Sequence, residues 1–391
     1  MKTVNSKKYF TYKQEVICVG MTNKTLIIEG KVNKSKYVRK WKEKFKKSTL
    51  KTAQDGKVRK KNVFLYGEQD TIISVWTSPK RTKTNPLPRV YSSLIHNGLK
   101  ITIIPVLKEE GEGGEQNLLH PNTIYWMTLL GVYVVVGFYE KAQVGKIKRQ
   151  ASNAAQGKKS KQGKPKLAEQ ILELGMIEKQ VCEIITNQPN VELWNKKQIE
   201  LIPSLLQASV QQYRHLGRML GIPLKNKSLD NKELKNKKWL KDINEMFKDN
   251  ARDEKISQHS ETKTEHEHED VPKEYGDKAK FNIEFGKDKN IHLTSDGVLV
   301  DKKIKQITIT EAKNTIKKNF PSTSDMKDGM MKLMLFGKTD FKINGIKHNK
   351  KLRSCLKGKG STELFQKRFL GFIEECKENH IEIRFNNVII R

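Results

Sequence analysis

The sequence predicts an α/β protein with more than one hydrophobic core, on three observations. Runs rich in β-branched and aromatic residues recur, among them "TLIIEGKV", "NVFLYGE", "TIISVW", "LKITIIPVL" and "GVYVVVGFY", and these read as strands. Between them, "PRVYSSLIHNG" and "PNTIYWMTLLG" each carry a proline near a helix start and a glycine at its end. The resulting order of strand, helix, strand over residues 99 to 139 suggests a sheet covered by helices. At 391 residues the chain is long for a single core, and two or three domains are expected.

Taken in order, residues 1 to 148 form one α/β domain, suited to DNA recognition or dimerisation. Residues 149 to 166, "RQASNAAQGKKSKQGKPK", have no apolar period and read as an exposed basic linker. Residues 167 to 250 read as a helical segment. In "LAEQILELGMIEKQVCEIIT", Leu167, Ile171, Leu174, Ile177 and Val181 recur at helical spacing. "QIELIPSLLQASVQQYRHLGRMLG" reads the same way with Pro203 near its start, and "LDNKELKNKKWLKDINEMFKD" is a more charged helix. Residues 251 to 278 form a charged linker containing "HSETKTEHEHED". His266, His268 and Asp270 could hold a metal there, but nothing apolar nearby would fix them, so a hydrophilic linker is the expectation. From 279 to 391 a second α/β unit follows, with "FNIEFG", "IHLTSDGVLV", "KQITITEAK", "DFKINGIK" and "IEIRFNNVII" as strands. "SDMKDGMMKLMLFG" and "STELFQKRFLGFIEECKEN" are its helices.

Charge narrows the class of partner. Lys and Arg number 76 against 44 Asp and Glu, a formal charge of +32. Such an excess fits a polyanion, because each phosphate neutralised releases condensed counterions. An anionic membrane would call for an amphipathic anchor or a lipidation motif, and neither is present. The longest apolar run, "LLGVYVVVGF", is too short to span a bilayer and reads as a buried strand. The opening "MKTVNSKKYF" lacks the apolar core of a signal peptide. Cys18, Cys182, Cys355 and Cys376 form no CxxC pair, so thiols in a reducing cytoplasm are expected rather than a zinc ribbon.

The chemistry concentrates in "HLTSDGVLVDKKIKQITITEAKN". On a strand through "QITITEAKN", Ile307, Ile309, Glu311 and Lys313 share one face. The preceding strand carries Asp296, "DKKIK" is the turn, and the hairpin can bring Asp296 close to Glu311. Two carboxylates beside one ammonium at the edge of an apolar sheet are costly unless something binds there. Mg²⁺ would satisfy them, and the lysine could polarise a water or steady a phosphate in transit.

Ser295-Asp296, then fifteen residues on Glu311-Ala312-Lys313, then the helix "DMKDGMMKLMLF", resembles the PD-(D/E)XK nucleases, of which type II restriction endonucleases are the best-known members. The resemblance covers the C-terminal 110 residues or so. It implies a mixed β-sheet nuclease core with flanking helices and Mg²⁺-dependent hydrolysis of double-stranded DNA. It further implies that Asp296, Glu311 and the carbonyl of Ala312 hold the metal, and that Lys313 orients or activates the attacking water. A cognate DNA methyltransferase would be the functional partner. Ser295 stands where the family name has proline, and Glu284 is a weak candidate for the upstream Glu that many members carry. Such enzymes are commonly symmetric homodimers, while a monomer with separate reading and cutting domains fits this length equally. Lys302, Lys303, Lys305, Lys317 and Lys318 flank the hairpin as candidate DNA-phosphate contacts, or as a merely soluble edge.

Glu-x-Lys alone is a weak signal, since it also occurs at Glu29-Lys31, Glu233-Lys235, Glu261-Lys263 and Glu375-Lys377. Only Glu311-Lys313 combines strand context, an upstream Asp and a following helix. Lys108 and Glu110, at the end of an apolar strand, offer the reversed layout and so a second or degenerate centre. Two other readings stay open: a transposon-end or repair nuclease of the same fold, and a non-catalytic DNA- or RNA-binding protein whose carboxylates are structural.

Overall fold

A computed structural model describes residues 26–32, 38–54, 62–67, 70–80, 86–112, 114–145, 164–224, 277–284, 290–343 and 345–390. These fall into two compact units. One draws on Met1–Val38, His268–Pro321 and Lys332–Arg391, the other on Arg39–Glu267 and Ser322–Met331. The architecture is mixed α/β, with several sheets and flanking helices. The boundary expected near residue 148 is corrected in two ways. β1 (Leu26–Val32) belongs to the unit built mainly from C-terminal residues, and residues 164 to 224 pack into the same unit as the first α/β segment. Both edges of β1 are filled from far along the chain, Gly30 lying opposite Ile283 on one side and Phe341 on the other. A Cβ at Gly30 would come within 2.9 Å of the Phe341 ring, so this crossing needs glycine.

The unit built around residues 39 to 224 opens with α1 (Leu50–Gln54), β2 (Val63–Leu65), β3 (Thr71–Val75), α2 (Pro86–Ser93) and β4 (Leu99–Pro105). The hairpin β5 (Leu107–Glu109) and β6 (Gln116–Leu118) follows, then α3 (Pro121–Leu129) and β7 (Tyr133–Gly137). Its sheet runs β2-β3-β4-β7, with β2 antiparallel and the rest parallel. Every residue of β3 is buried, which explains why apolar residues fall on both of its faces, and buried Ser74 donates to Thr102 Oγ1 of β4 at 2.8 Å.

β8 (Tyr139–Val144) and β9 (Leu167–Leu172) pair antiparallel, followed by α4 (Leu174–Asn187) and α5 (Val191–Met219). The helix expected from residue 167 is therefore corrected. Leu167 and Ile171 lie on β9, and the helix begins only after Glu173, whose carboxylate accepts from the N–H groups of Gly175 and Met176. Pro203 lies well inside α5 rather than near its start. The free edge of β7 is capped by side chains of α5. Asn195 Oδ1 accepts from Val134 N–H at 2.8 Å, Gln198 Oε1 from Val136 N–H at 3.0 Å, and Trp194 Nε1 donates to Val134 O at 2.8 Å. These bonds satisfy an edge that would otherwise template strand pairing.

The other unit continues with the antiparallel meander β10 (Asp277–Glu284), β11 (Asn290–Asp301) and β12 (Gln306–Asn314). Next comes α6 (Thr323–Gly337), of which the residues from Lys332 onward belong here. β13 (Thr339–Ile343) turns into β14 (Ile346–Lys357), which lies parallel to β12. α7 (Thr362–Arg368) and α8 (Leu370–Glu378) lead to β15 (Ile381–Phe385), parallel to β14, and to β16 (Val388–Ile390). The sheet order is β12-β11-β10-β1-β13-β14-β15-β16, and β12 also pairs with β14, so six strands close into a barrel-like ring. Residues 346–348 of β14 meet β13 while residues 349–357 meet β12, which closes the ring only at one end of β14.

Aromatic rings fill the core of this unit. Phe336 of α6 lies 4.6 Å from Phe281 of β10 and 6.3 Å from Phe341 of β13, centroid to centroid. Phe385 stacks on Phe365 at 4.6 Å, with Phe320 and Phe369 beside them. That second group corrects the single helix expected over "STELFQKRFLGFIEECKEN". The chain breaks at Phe369 (φ −117°, ψ 31°), which buries its ring among the others and exchanges helical continuity for apolar burial.

β14 escaped the sequence reading because "KHNKKLRSCLK" has few β-branched residues. It is nevertheless mostly buried from Leu352 to Leu356, with Arg353 among the buried positions. Glu382 on β15 makes this tolerable. Its carboxylate meets Arg353 Nε at 2.6 Å, Lys351 Nζ at 2.7 Å and Arg384 Nε at 2.9 Å. Burial works to raise Glu382, but the hydrogen bonds from Lys351, Arg353 and Arg384 outweigh it and hold the carboxyl at about 2. An unfolded glutamate titrates near ~4.3, so this cluster stabilises the fold above that pH and loses its contribution as pH falls toward 2. Thermal unfolding at pH 6 and pH 3 is expected to show a smaller acid-induced drop in Tm for Glu382→Gln than for wild type. An equal drop would remove the cluster as a source of acid sensitivity.

Candidate active site

The hairpin β11–β12 brings the predicted carboxylates together. Gly297 lies opposite Thr310, which sets Asp296 against Glu311. Ala312 N–H donates to Asp296 Oδ2 at 2.8 Å, fixing the aspartate on the strand that carries the glutamate. The register supplies the local reason. Between Ala279 and Asp277, β10 advances two residues while β11 advances three, from Ser295 to Val298. The extra residue falls at Asp296-Gly297, and a bulge of this kind re-aims a side chain next to a site.

β12 is buried on both faces from Ile307 to Ala312, and Glu311 is only 1% exposed. Its Oε2 accepts from Lys332 Nζ of α6 at 3.0 Å, while Oε1 is buried without a hydrogen-bond partner. Burial is the main cause that pushes the Glu311 carboxyl up to about 8. Lys332 opposes it, Asp296 adds to it, and Lys313 opposes it. A buried carboxylate with one orphan oxygen and a second carboxylate beside it is the environment a hard divalent cation relieves. Asp296 and Glu311 are therefore donors of the kind that fits Mg²⁺. Among the described residues no group of three or more His, Cys, Asp or Glu side chains is arranged to hold a metal.

Lys313 is half-buried two residues beyond Glu311, and its charge acts favourably on the Glu311 carboxylate. Lys332 was missed from sequence. It is the lone charge within "GMMKLMLF", and a single lysine in so apolar a helical run was the available signal. Its partner lies 21 residues upstream on a different element, which no periodicity reveals.

Other predicted positions fare differently. Glu284 ends β10, paired to Asn290, with a half-exposed side chain 3.8 Å from Lys31. It stands five residues from Ala279, the neighbour of the site, or about 16 Å along the strand, and is corrected as a site residue. Lys302, Lys303 and Lys305 are exposed in the β11–β12 turn, at the opposite end of β12 from Glu311. Lys305 precedes Glu311 by six residues, about 20 Å of strand, so this trio cannot share a phosphate with the carboxylates. Lys317 and Lys318 are exposed beyond the end of β12 that carries Glu311. Lys108 and Glu110 form an ion pair at 2.8 Å, and Glu110 also accepts from Glu115 N–H. The adjacent Glu109 is buried and accepts from Gly111 N–H and Gln116 Nε2, both at 2.7 Å. These carboxylates hold their own loop together, which accounts for them without a second centre. Glu29 accepts from Asn282 Nδ2 at the sheet surface. Cys182, Cys355 and Cys376 are not disulfide-bonded. His266, His268, Asp270, Cys18 and the helix expected over 229–249 lie outside the described residues. Among those described, no helix is long and apolar enough to cross a membrane.

Compared with protein-family profiles, with curated proteins and with solved structures, the chain matches none.

Proposed function

We propose that the chain is a Mg²⁺-dependent endonuclease that cuts double-stranded DNA at specific sites, in the manner of a type II restriction enzyme. The observation that carries the reading is the Asp296–Glu311 pair, with one buried carboxylate oxygen left without a partner. The order of elements lends support: an antiparallel meander, a helix, then the hairpin β13–β14, whose second strand lies parallel to the third of the meander. The formal charge of +32 suits a duplex partner.

In this reading Asp296, Glu311 and the Ala312 carbonyl hold the ion. When bound, the ion would polarise the phosphodiester and lower the pKa of its water. Lys313 orients the attacking water and balances charge on the phosphoryl oxygens. Hydrolysis would leave a 5′-phosphate and a 3′-hydroxyl. Lys317 and Lys318, at the near end of β12, are better placed for the local backbone than the turn lysines. A methyltransferase protecting the same sequence would be its functional partner in the cytoplasm.

A digest of plasmid and phage DNA with Mg²⁺ or with EDTA tests the reading. Discrete bands that need Mg²⁺ and disappear in Asp296→Asn are expected. A smear would keep the nuclease but favour the transposon or repair class. Salt-sensitive binding without cleavage of any substrate would favour the non-catalytic DNA-binding protein.

A further inference from the structure

We propose that Lys332 is a resident counter-cation of the metal position, which weakens divalent-ion loading until a phosphate of the substrate arrives. The proposal rests on the nuclease reading of the site and concerns how that site is regulated.

The lysine comes from α6, not from the hairpin that supplies the carboxylates. It meets Glu311 Oε2 at 3.0 Å, with its own side chain 18% exposed and that of Glu311 1% exposed. Glu311 thus has one oxygen engaged by an ammonium and the other buried without a partner. In a poorly solvated site a unit positive charge so close to the ligand oxygens repels a dication strongly. Without metal the same ammonium donates to Glu311 and compensates its charge whenever it is ionised. A DNA phosphate brings negative charge that offsets Lys332, so metal and substrate should load together. Lys313 does not duplicate this role, because it lies on the same strand as Glu311 and beyond it.

The test is metal binding by the full-length protein without DNA. Bound Mn²⁺ is followed by electron paramagnetic resonance, with competition by Mg²⁺. Lys332→Gln, which keeps a donor to Glu311 and loses the charge, is expected to bind at least about tenfold tighter than wild type. Lys332→Met, which keeps the aliphatic stem, carries the same expectation if the glutamine variant does not fold. Lys332→Arg should stay within about threefold of wild type. Asp296→Asn reports on the metal site itself. Tighter binding in the neutral variants alone supports the counter-cation. Unchanged or weaker binding in them, with binding still lost in Asp296→Asn, overturns it and leaves the nuclease site standing. Mn²⁺ binding that is absent from wild type and from both neutral variants alike, or indifferent to Asp296→Asn, overturns both.

Discussion

Glu311→Ala is expected to lower Mg²⁺-supported DNA cleavage by at least about three orders of magnitude, or ~4 kcal/mol of barrier, while DNA affinity in EDTA changes by less than about threefold. The size of the effect follows from position. Glu311 is buried in a strand covered on both faces and held by Lys332, so its loss removes the more firmly fixed of the two carboxylates. Asp296 alone would leave the ion one carboxylate and a carbonyl. The proton also competes with the metal for this residue. Burial above all holds the Glu311 carboxyl at about 8 in the metal-free protein. Below that pH the ion must displace a proton, so half-saturating Mg²⁺ should fall about tenfold for each unit of rising pH and level off above 8. Without metal the linkage has the opposite sense for stability. The folded state binds more protons than the unfolded chain between ~4.3 and 8, so stability falls as pH rises through that window. Glu311→Gln should flatten that decline. Single-turnover cleavage across pH 6 to 9, with metal titrated at each pH, measures these effects together. Full cleavage by Asp296→Ala, Glu311→Ala and Lys313→Ala alike would sink the site.

Phe336→Ala is expected to destabilise the unit that carries the site by about 3–5 kcal/mol. The ring is fully buried between Phe281 and Phe341, and its loss leaves a cavity where the end of α6 meets the sheet. The same helix carries Lys332 four residues earlier, so looser packing should also weaken the Lys332–Glu311 contact. Denaturant unfolding followed by circular dichroism is the measurement, analysed as two transitions because the chain forms two units. Leu364→Ala, at a position 47% exposed, should fall within about 0.5 kcal/mol of wild type. Equal losses for the two variants would remove the ring cluster as the organising core.

The mixed α/β class, the strands "TIISVW", "GVYVVVGFY" and "QITITEAKN", and the hairpin carrying Asp296 and Glu311 were all legible, because each rests on local pattern. Period-two alternation, a turn in "DKKIK" and an apolar run between Gly and Pro act over a few residues. What stayed hidden depends on partners distant in sequence. β14 is central although its lysines and Arg353 argue for a surface loop, because Glu382 answers them from β15. β1 leaves its sequence neighbours because both of its edges find strands about 250 to 310 residues away. Leu167–Leu172 pairs with β8 although its leucines also fit a helix, since a short amphipathic segment takes the structure its tertiary partner offers. The chemistry divides in the same way. Residue types and spacing alone pointed to two carboxylates and a lysine on one hairpin. Only folding shows that Lys332 meets Glu311, because that contact forms when α6 packs Phe336 and its neighbouring apolar side chains onto the sheet. Hydrophobic burial sets that packing, and the charge pair follows from it.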